Sequence, residues 1–224
     1  MKEQTPSCAR CAFPVSDRLC NIPEGHAPPG CPTGEHPGLC ETALKEYEAP
    51  EIHTFARMAS IQEGEGYGRK NLGVDHMIPI KPRILEISEF AGKMGYKKLG
   101  LAFCMGLWKE AKIVEDVYAA NGFSVTSVIC KAGRASKDNL EIMDDQKVEI
   151  GSDEAMCNPI FQAMILNREH TELNIVMGLC VGHDSLFFKY ADAPCTVLAA
   201  KDRLLGHNPL AAVYNIDSYY RALK

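Results

Sequence analysis

Residues 99–129 read LGLAFCMGLWKEAKIVEDVYAANGFSVTSVI, and their reading decides the fold. Leu99 to Phe103 is a short apolar run of strand length, too brief for a helix. Leu107 to Ala120 follows as an amphipathic helix, with Trp108, Ile113, Val117 and Tyr118 as its packing residues, and Asn121-Gly122 ends it. Phe123 to Ile129 is β-branched and short, so it reads as a second strand. Strand, helix and strand in this order make a parallel crossover unit.

The same texture extends both ways. Upstream, Pro82 fits the first turn of a helix, Ile84, Ile87, Ala91 and Met94 recur at helical spacing, and Gly95 stops it. Downstream, Pro159 to Asn167 is helical, Leu173 to Leu179 is a buried apolar run, and Leu186 to Ala191 is helical again. Thr196 to Ala200 makes a fourth strand, and Pro209 to Leu223 reads as a closing helix. The expected fold is therefore α/β over 82–224, a small Rossmann-like or flavodoxin-like parallel sheet of about four strands with flanking helices. By analogy with doubly wound sheets its strand order is 2-1-3-4.

Residues 1–40 differ. They hold seven prolines, from Pro6 to Pro37, and no helical or strand period. Such a stretch buries too little apolar surface to offset its chain entropy, so it is either disordered or held by something other than a core. It also carries Cys8, Cys11, Cys20, Cys31 and Cys40, and Cys8-x2-Cys11 has the knuckle spacing of a zinc site or half of a cluster site. The expectation is a cysteine-rich metal-binding module over 1–40, holding zinc or an iron–sulfur cluster through Cys8, Cys11, Cys31 and one of Cys20 or Cys40. Between them, 41–81 reads as a helical connector, with TALKEYE (42–48) and a helix from Pro50 through Gln62. Gly64-x-Gly66-x-Gly68 lacks both the preceding strand and the spacing of a dinucleotide fingerprint, so it reads as a flexible loop.

Composition narrows the class. The 224 residues are 46% apolar and 24% charged with a net charge of −5, which excludes collagen-like, coiled-coil and disordered chains. That acidity argues against a phosphate-tracking nucleic-acid binder. No run reaches the roughly 18–20 apolar residues of a membrane span, and Met1 to Arg10 lacks the apolar segment of an export signal, so the expected location is cytoplasmic. In a reducing compartment the 10 cysteines are better explained by metal, redox or nucleophilic chemistry than by disulfides.

Ligands of open parallel sheets sit beyond the carboxyl ends of the strands. Cys104 follows the first expected strand and Cys130 with Lys131 the second. Cys180, His183 and Asp184 follow the third; Lys201, Asp202 and His207 follow the fourth. Cys157 lies just before a helix that leads to the same rim. Each cysteine alone reads first as a small core residue and only their convergence points to a site, and Cys195, at the start of its strand, is read as packing. Thiols from three strands about 4.8 Å apart reach a single zinc ion with difficulty and an iron–sulfur cluster more easily. There is no P-loop, and the methionines form no copper-binding array.

The strings AFCMGLWKEA (102–111), VICKAG (128–133), CNPIFQAMILN (157–167), NIVMGLCVGHDSLFFKYADAP (174–194) and KDRLLGHNPLAAVY (201–214) resemble an uncharacterised bacterial and archaeal metal-binding family, domain of unknown function 1847. The resemblance covers nearly the whole chain. It implies metal binding without a defined activity and supports Cys104, Cys130, Cys157, Cys180 and His183 as a set. An aliphatic residue is expected in the family where Cys195 stands.

The leading expectation is a metal-binding protein with an N-terminal cysteine site and a second Cys/His site at the sheet edge. There Cys104, Cys130, Cys157 and Cys180 would hold an iron–sulfur centre, while Cys180, His183, Asp184, Lys201, Asp202 and His207 would act in sulfur transfer or redox chemistry. Its partner would be a small-molecule substrate or a metal ion, with neither nucleic acid nor membrane. The alternatives are a non-enzymatic metal sensor, carrier or store, and a metal-free thiol enzyme using Cys180 with His183 as base. The sequence carries no signal of oligomeric state.

Overall fold

A computed structural model describes residues 5–224, so the first residues of the segment read for an export signal lie outside the described ones. The chain divides into two compact units, one reaching Ile61 and the other running from Gln62 to Lys224.

The first unit is built of turns and three helices, α1 (Pro32–Glu35), α2 (Pro37–Glu46) and α3 (Pro50–Glu65), the last running on into the second unit. Each helix begins on a proline, whose fixed φ and missing N–H suit the first helical position. Helix α2 therefore starts ahead of the change in texture at Glu41, because Pro37 nucleates it. Among the described residues up to Ile61, Gly30 alone is buried. An apolar core does not hold this unit.

The second unit opens with a short antiparallel pair, β1 (Tyr67–Gly68) and β2 (Ile78–Pro79). The glycine-rich 64–68 segment is thus not a loop but the end of α3 followed by β1. Gly66 sits where a Cβ would lie 2.7 Å from Glu86 Oε1, and its carbonyl accepts from Ile80 N at 2.9 Å. Bare backbone is what lets the two segments meet there.

The main body then alternates: α4 (Arg83–Lys93), β3 (Lys98–Phe103), α5 (Trp108–Ala120), β4 (Ser124–Ile129), α6 (Pro159–Arg168), β5 (Leu173–Met177), α7 (His183–Tyr190), β6 (Cys195–Ala199) and α8 (Leu210–Tyr214). Strands β3 to β6 form one sheet in the order β4-β3-β5-β6, every pair parallel, which is the order expected. Side chains alternate between faces along each strand. Leu99, Leu101, Leu173, Ile175 and Met177 meet Ile87 and Ala91 of α4 and Ala111, Val114 and Tyr118 of α5. Ala102, Val128 and Val176 meet Ala163 and Leu166 of α6 and Phe187 of α7. Helices on both faces explain why β5 is buried along its whole length and reads as an unbroken apolar run.

One close approach locks the centre. Gly100 lies against Asn174 of β5, and a Cβ there would stand 2.1 Å from Asn174 Oδ1 and 2.9 Å from Leu166 Cδ1. Asn174 Oδ1 also accepts from Thr171 Oγ1 at 2.7 Å, so it is not free to turn away.

Three details differ from the sequence reading. On α5, Trp108 and Ile113 are exposed, while Ala111, Val114 and Tyr118 face the core. Helix α7 starts at His183, three residues earlier than Leu186, because Gly182 at φ +84° turns the chain directly into it. The tail is not one closing helix: α8 ends at Tyr214, turns occupy 215–220, and a short helical turn, Arg221–Leu223, follows. Asn215 Nδ2 donates to Ala211 O, and Ser218 Oγ donates to Asn215 O. Side chains that bond nearby backbone compete with the helix in this way. Among the described residues no helix is long and apolar enough to cross a membrane.

Candidate functional site

The parallel registers Phe103↔Ile129 and Phe103↔Met177 bring the carboxyl ends of three strands level. The ladder runs one bond further at each end, from Cys130 N to Phe103 O at 2.9 Å and from Cys104 N to Met177 O at 3.1 Å. Cys104 and Cys130 are therefore held side by side by backbone. Beneath them Gln162, fully buried on α6, donates Nε2 to Val128 O at 2.7 Å and to Phe103 O at 3.3 Å.

Cys157 reaches the same place by another route. A long excursion leaves β4 and returns through a bridge between Ser136 and Ala155. Asn158 N then donates to Cys130 O at 2.8 Å, while Asn158 Oδ1 accepts from Phe161 N at 3.0 Å and caps α6. One residue thus starts the helix and pins Cys157 beside Cys130. Glu154 braces the excursion, accepting from Lys137 at 2.9 Å and from Val148 N at 2.9 Å.

The three sulfurs form a hydrogen-bonded chain with Cys130 in the middle, bonded to both Cys104 and Cys157. Cys104 Sγ also accepts from Lys201 Nζ at 2.9 Å and from Gly106 N at 3.4 Å, and Cys130 Sγ accepts from Met105 N at 3.3 Å. The hydrogen bond from Cys130, followed by Lys201 and Gly106, pulls the Cys104 thiol down to about 4 against the effect of burial. Cys157 falls to about 6, chiefly through Cys130 and then through the charges of His183 and Lys131. Cys130 moves the other way, because its proton is shared with two sulfurs that carry charge and because it is buried. Cys104 and Cys157 are thus favoured as thiolates, while Cys130 is favoured as the thiol between them.

These sulfurs make a chain, not a triangle, since Cys104 acts on Cys157 only as a charge at a distance. Correspondingly, among the described residues no three or more His, Cys, Asp or Glu side chains already surround a point where a metal ion would sit. His183 is within electrostatic reach of Cys157, and its Nδ1 is buried with no hydrogen-bond partner among the described residues.

The remaining sequence candidates have other partners. Cys180 Sγ accepts from Arg203 Nη2 at 3.0 Å, and its carbonyl accepts from the backbone of His183 and Asp184. Asp184 is half-buried and accepts from Ser185 N at 2.8 Å. Asp202 Oδ1 accepts from Leu204 N and Leu205 N, and Asp202 N donates to His207 Nδ1 at 3.2 Å. Asp202 and His207 thereby shape the loop that presents Lys201 and Arg203. Cys195 opens β6, packs against the core beside α7 and donates to Ala193 O at 3.3 Å.

Sequence reasoning missed Arg203, Asn158 and Gln162. Arg203 stands two residues from Lys201, the same-side spacing of extended chain, so its signal was present in KDR. The roles of Asn158 and Gln162 depend on carbonyls distant in sequence, which no local pattern shows.

In the first unit, Cys8, Cys11, Cys20 and Cys31 line one cavity of about 280 Å³. Cys40 lies on α2, exposed, and is not part of its wall.

Comparison with known proteins adds two findings. The profile of a family described as "protein of unknown function (DUF1847)" matches residues 31–198. "Uncharacterized protein MJ0455" of Methanocaldococcus jannaschii is 41% identical over 182 residues, covering 81% of this chain and 86% of the relative. The family match contains Cys104, Cys130, Cys157, Cys180 and His183, and it begins after Cys8, Cys11 and Cys20 and ends before Lys201.

Proposed function

The chain belongs to the family described as protein of unknown function (DUF1847), and we propose that it binds a thiophilic divalent cation through Cys104, Cys130 and Cys157, with His183 as fourth donor. The hydrogen-bonded thiol chain carries this reading. A proton shared among three sulfurs occupies the place that a soft cation would take, and metal binding to thiols proceeds by displacing such protons.

Spacing supports a single ion over a cluster at this edge. Zinc–sulfur bonds of about 2.3 Å put tetrahedral sulfurs about 3.8 Å apart, which is the range of a sulfur–sulfur hydrogen bond. The obstacle expected from the sequence was that three strand ends lie too far apart for one ion. The excursion after β4 removes it, by delivering Cys157 in place of a third strand end. The proposed site requires one terminal cysteine to turn so that the three sulfurs face one ion, with the unpartnered Nδ1 of His183 as the fourth donor of a Cys3His set. Such a closed set suits a sensor, carrier or stabilising ion better than an open catalytic metal.

Cadmium titration, followed by the thiolate charge-transfer absorption, tests this in a full chain carrying serine at Cys8, Cys11, Cys20 and Cys31. One cadmium per chain is expected, with affinity at least tenfold lower in Cys130→Ser. Equal affinity in that variant would refute the site.

A second reading rests on Lys201. An ammonium at 2.9 Å holds Cys104 as a thiolate, the state required of a sulfur nucleophile. On this reading the working thiol is Cys104, with Lys201 and Arg203 facing an anionic small molecule. Chemistry that continues in the presence of a chelator would favour it.

A further inference from the structure

The first unit poses a separate problem, and its solution does not depend on the sheet edge. From residue 5 to Ile61, Gly30 is the one buried position among those described. Yet the backbone is closely organised. Cys11 N donates to Cys8 O at 3.2 Å, so the two cysteines share one turn. Leu19 N donates to His26 O at 3.0 Å and His26 N to Asp17 O at 2.7 Å, which folds the Cys20 loop back on itself. Gly25 packs so tightly on Arg18 that a Cβ would fall 2.3 Å from its carbonyl carbon. Cys31 precedes α1, and its carbonyl accepts from Gly34 N and Glu35 N. Three turns therefore deliver four thiols to one cavity, in a unit with no apolar core. Some other group must supply the cohesion that burial does not.

Volume selects the class of that group. The sphere that reaches from a zinc ion to its sulfurs, at about 2.3 Å, encloses about 50 Å³. The cavity measures about 280 Å³, several times too large for one ion. Polynuclear clusters take four thiolates from scattered positions and fill such a space. Arg10 and Arg18 line the same wall and offset the negative charge that four thiolates bring, and Pro28 and Pro29 line it too.

We propose that Cys8, Cys11, Cys20 and Cys31 hold a four-iron, four-sulfide cluster that acts as the core of the N-terminal unit, with Cys40 excluded. Loading is a ligand exchange without change of oxidation state. Each protein sulfur forms one bond to iron, one small thiolate leaves that iron, and the cysteine proton passes to the departing thiolate.

The test uses the full chain with serine at Cys104, Cys130 and Cys157, so that bound iron reports the first unit. The chain is incubated anaerobically with a synthetic four-iron cluster capped by 2-mercaptoethanol thiolates, and in parallel with zinc alone. The expected result is iron and acid-labile sulfide bound in equal amounts, broad visible absorption, and slower proteolysis before Ile61. Uptake should fall more than tenfold in Cys20→Ser and stay within twofold in Cys40→Ser. Trp108 fluorescence, from the second unit, checks that each variant remains folded there. Tight uptake of one zinc with no cluster uptake would overturn the proposal, as would iron without sulfide, uptake of neither, or dependence on Cys40 instead of Cys20.

Discussion

Replacing Lys201 by methionine removes the ammonium from Cys104 while preserving most of the side-chain volume. Two unit charges at the observed 2.9 Å interact by about 1.4 kcal/mol at a dielectric constant of about 80 and by about 2.9 kcal/mol at about 40. The site is half-buried, so this bracket is preferable to values for a dry interior. It corresponds to about 1 to 2 pKa units. The cation favours the thiolate, so its loss raises the Cys104 pKa from about 4. The larger contribution, the hydrogen bond from Cys130, stays in place. Alkylation with iodoacetamide, read at Cys104 by peptide mass spectrometry across pH, reports the thiolate fraction directly. In the parent chain the rate should hold its plateau down to mildly acidic pH. In Lys201→Met the midpoint should rise by about 1 to 2 units, and Lys201→Arg should restore most of it. An unchanged midpoint in Lys201→Met would refute the assigned geometry, because no charge removed from 2.9 Å leaves a thiolate unaffected.

Two further outcomes test the scaffold. Gly100→Ala forces a methyl group into Asn174 and Leu166, and should cost about 2 to 3 kcal/mol in urea unfolding followed by Trp108 fluorescence. A loss under about 0.5 kcal/mol would mean the approach of β3 to β5 is looser than described. Glu154→Gln removes the charge that Lys137 and the Val148 and Glu149 amides converge on. It should speed both proteolysis between Ser136 and Ala155 and alkylation of Cys157. The Glu154 carboxyl is held down to about 2, first by Lys137, so its bracing is complete above the ordinary glutamate range and is lost as pH falls toward 2. The parent loop should accordingly open under acid, and Glu154→Gln should lack that transition.

The sheet was legible because its strands are short apolar runs and its helices carry prolines at their starts and glycine or asparagine at their ends. Even the strand order, taken by analogy with doubly wound sheets, is the one observed. Cys104 and Cys130 were placed correctly at strand ends for the same reason. Cys157 and Cys180 were harder to sort. Which of them joins the thiol chain depends on a hydrogen bond from Asn158 N to Cys130 O across a long excursion, and on Arg203 engaging Cys180. Neither pairing leaves a periodic trace. The β1–β2 pair was missed because two residues per strand show no alternation, and the tail because Asn215 and Ser218 bond their own backbone. In the first unit, spacing left Cys20 and Cys40 equivalent, and the cavity wall distinguishes them.

The proton count on metal binding at the sheet edge tests the central claim most directly. At pH 7, three ordinary thiols with pKa about 8.5 would release about three protons to one cation. Here Cys104 and Cys157 are held below the ordinary thiol range and Cys130 above it, so fewer protons remain to be displaced. Calorimetric titration with cadmium in buffers of different ionisation enthalpy, on the chain with serine at Cys8, Cys11, Cys20 and Cys31, should give clearly fewer than three protons released per cadmium. Release of about three protons, or binding that persists when Cys130 is serine, would contradict the thiol chain as the cation's site.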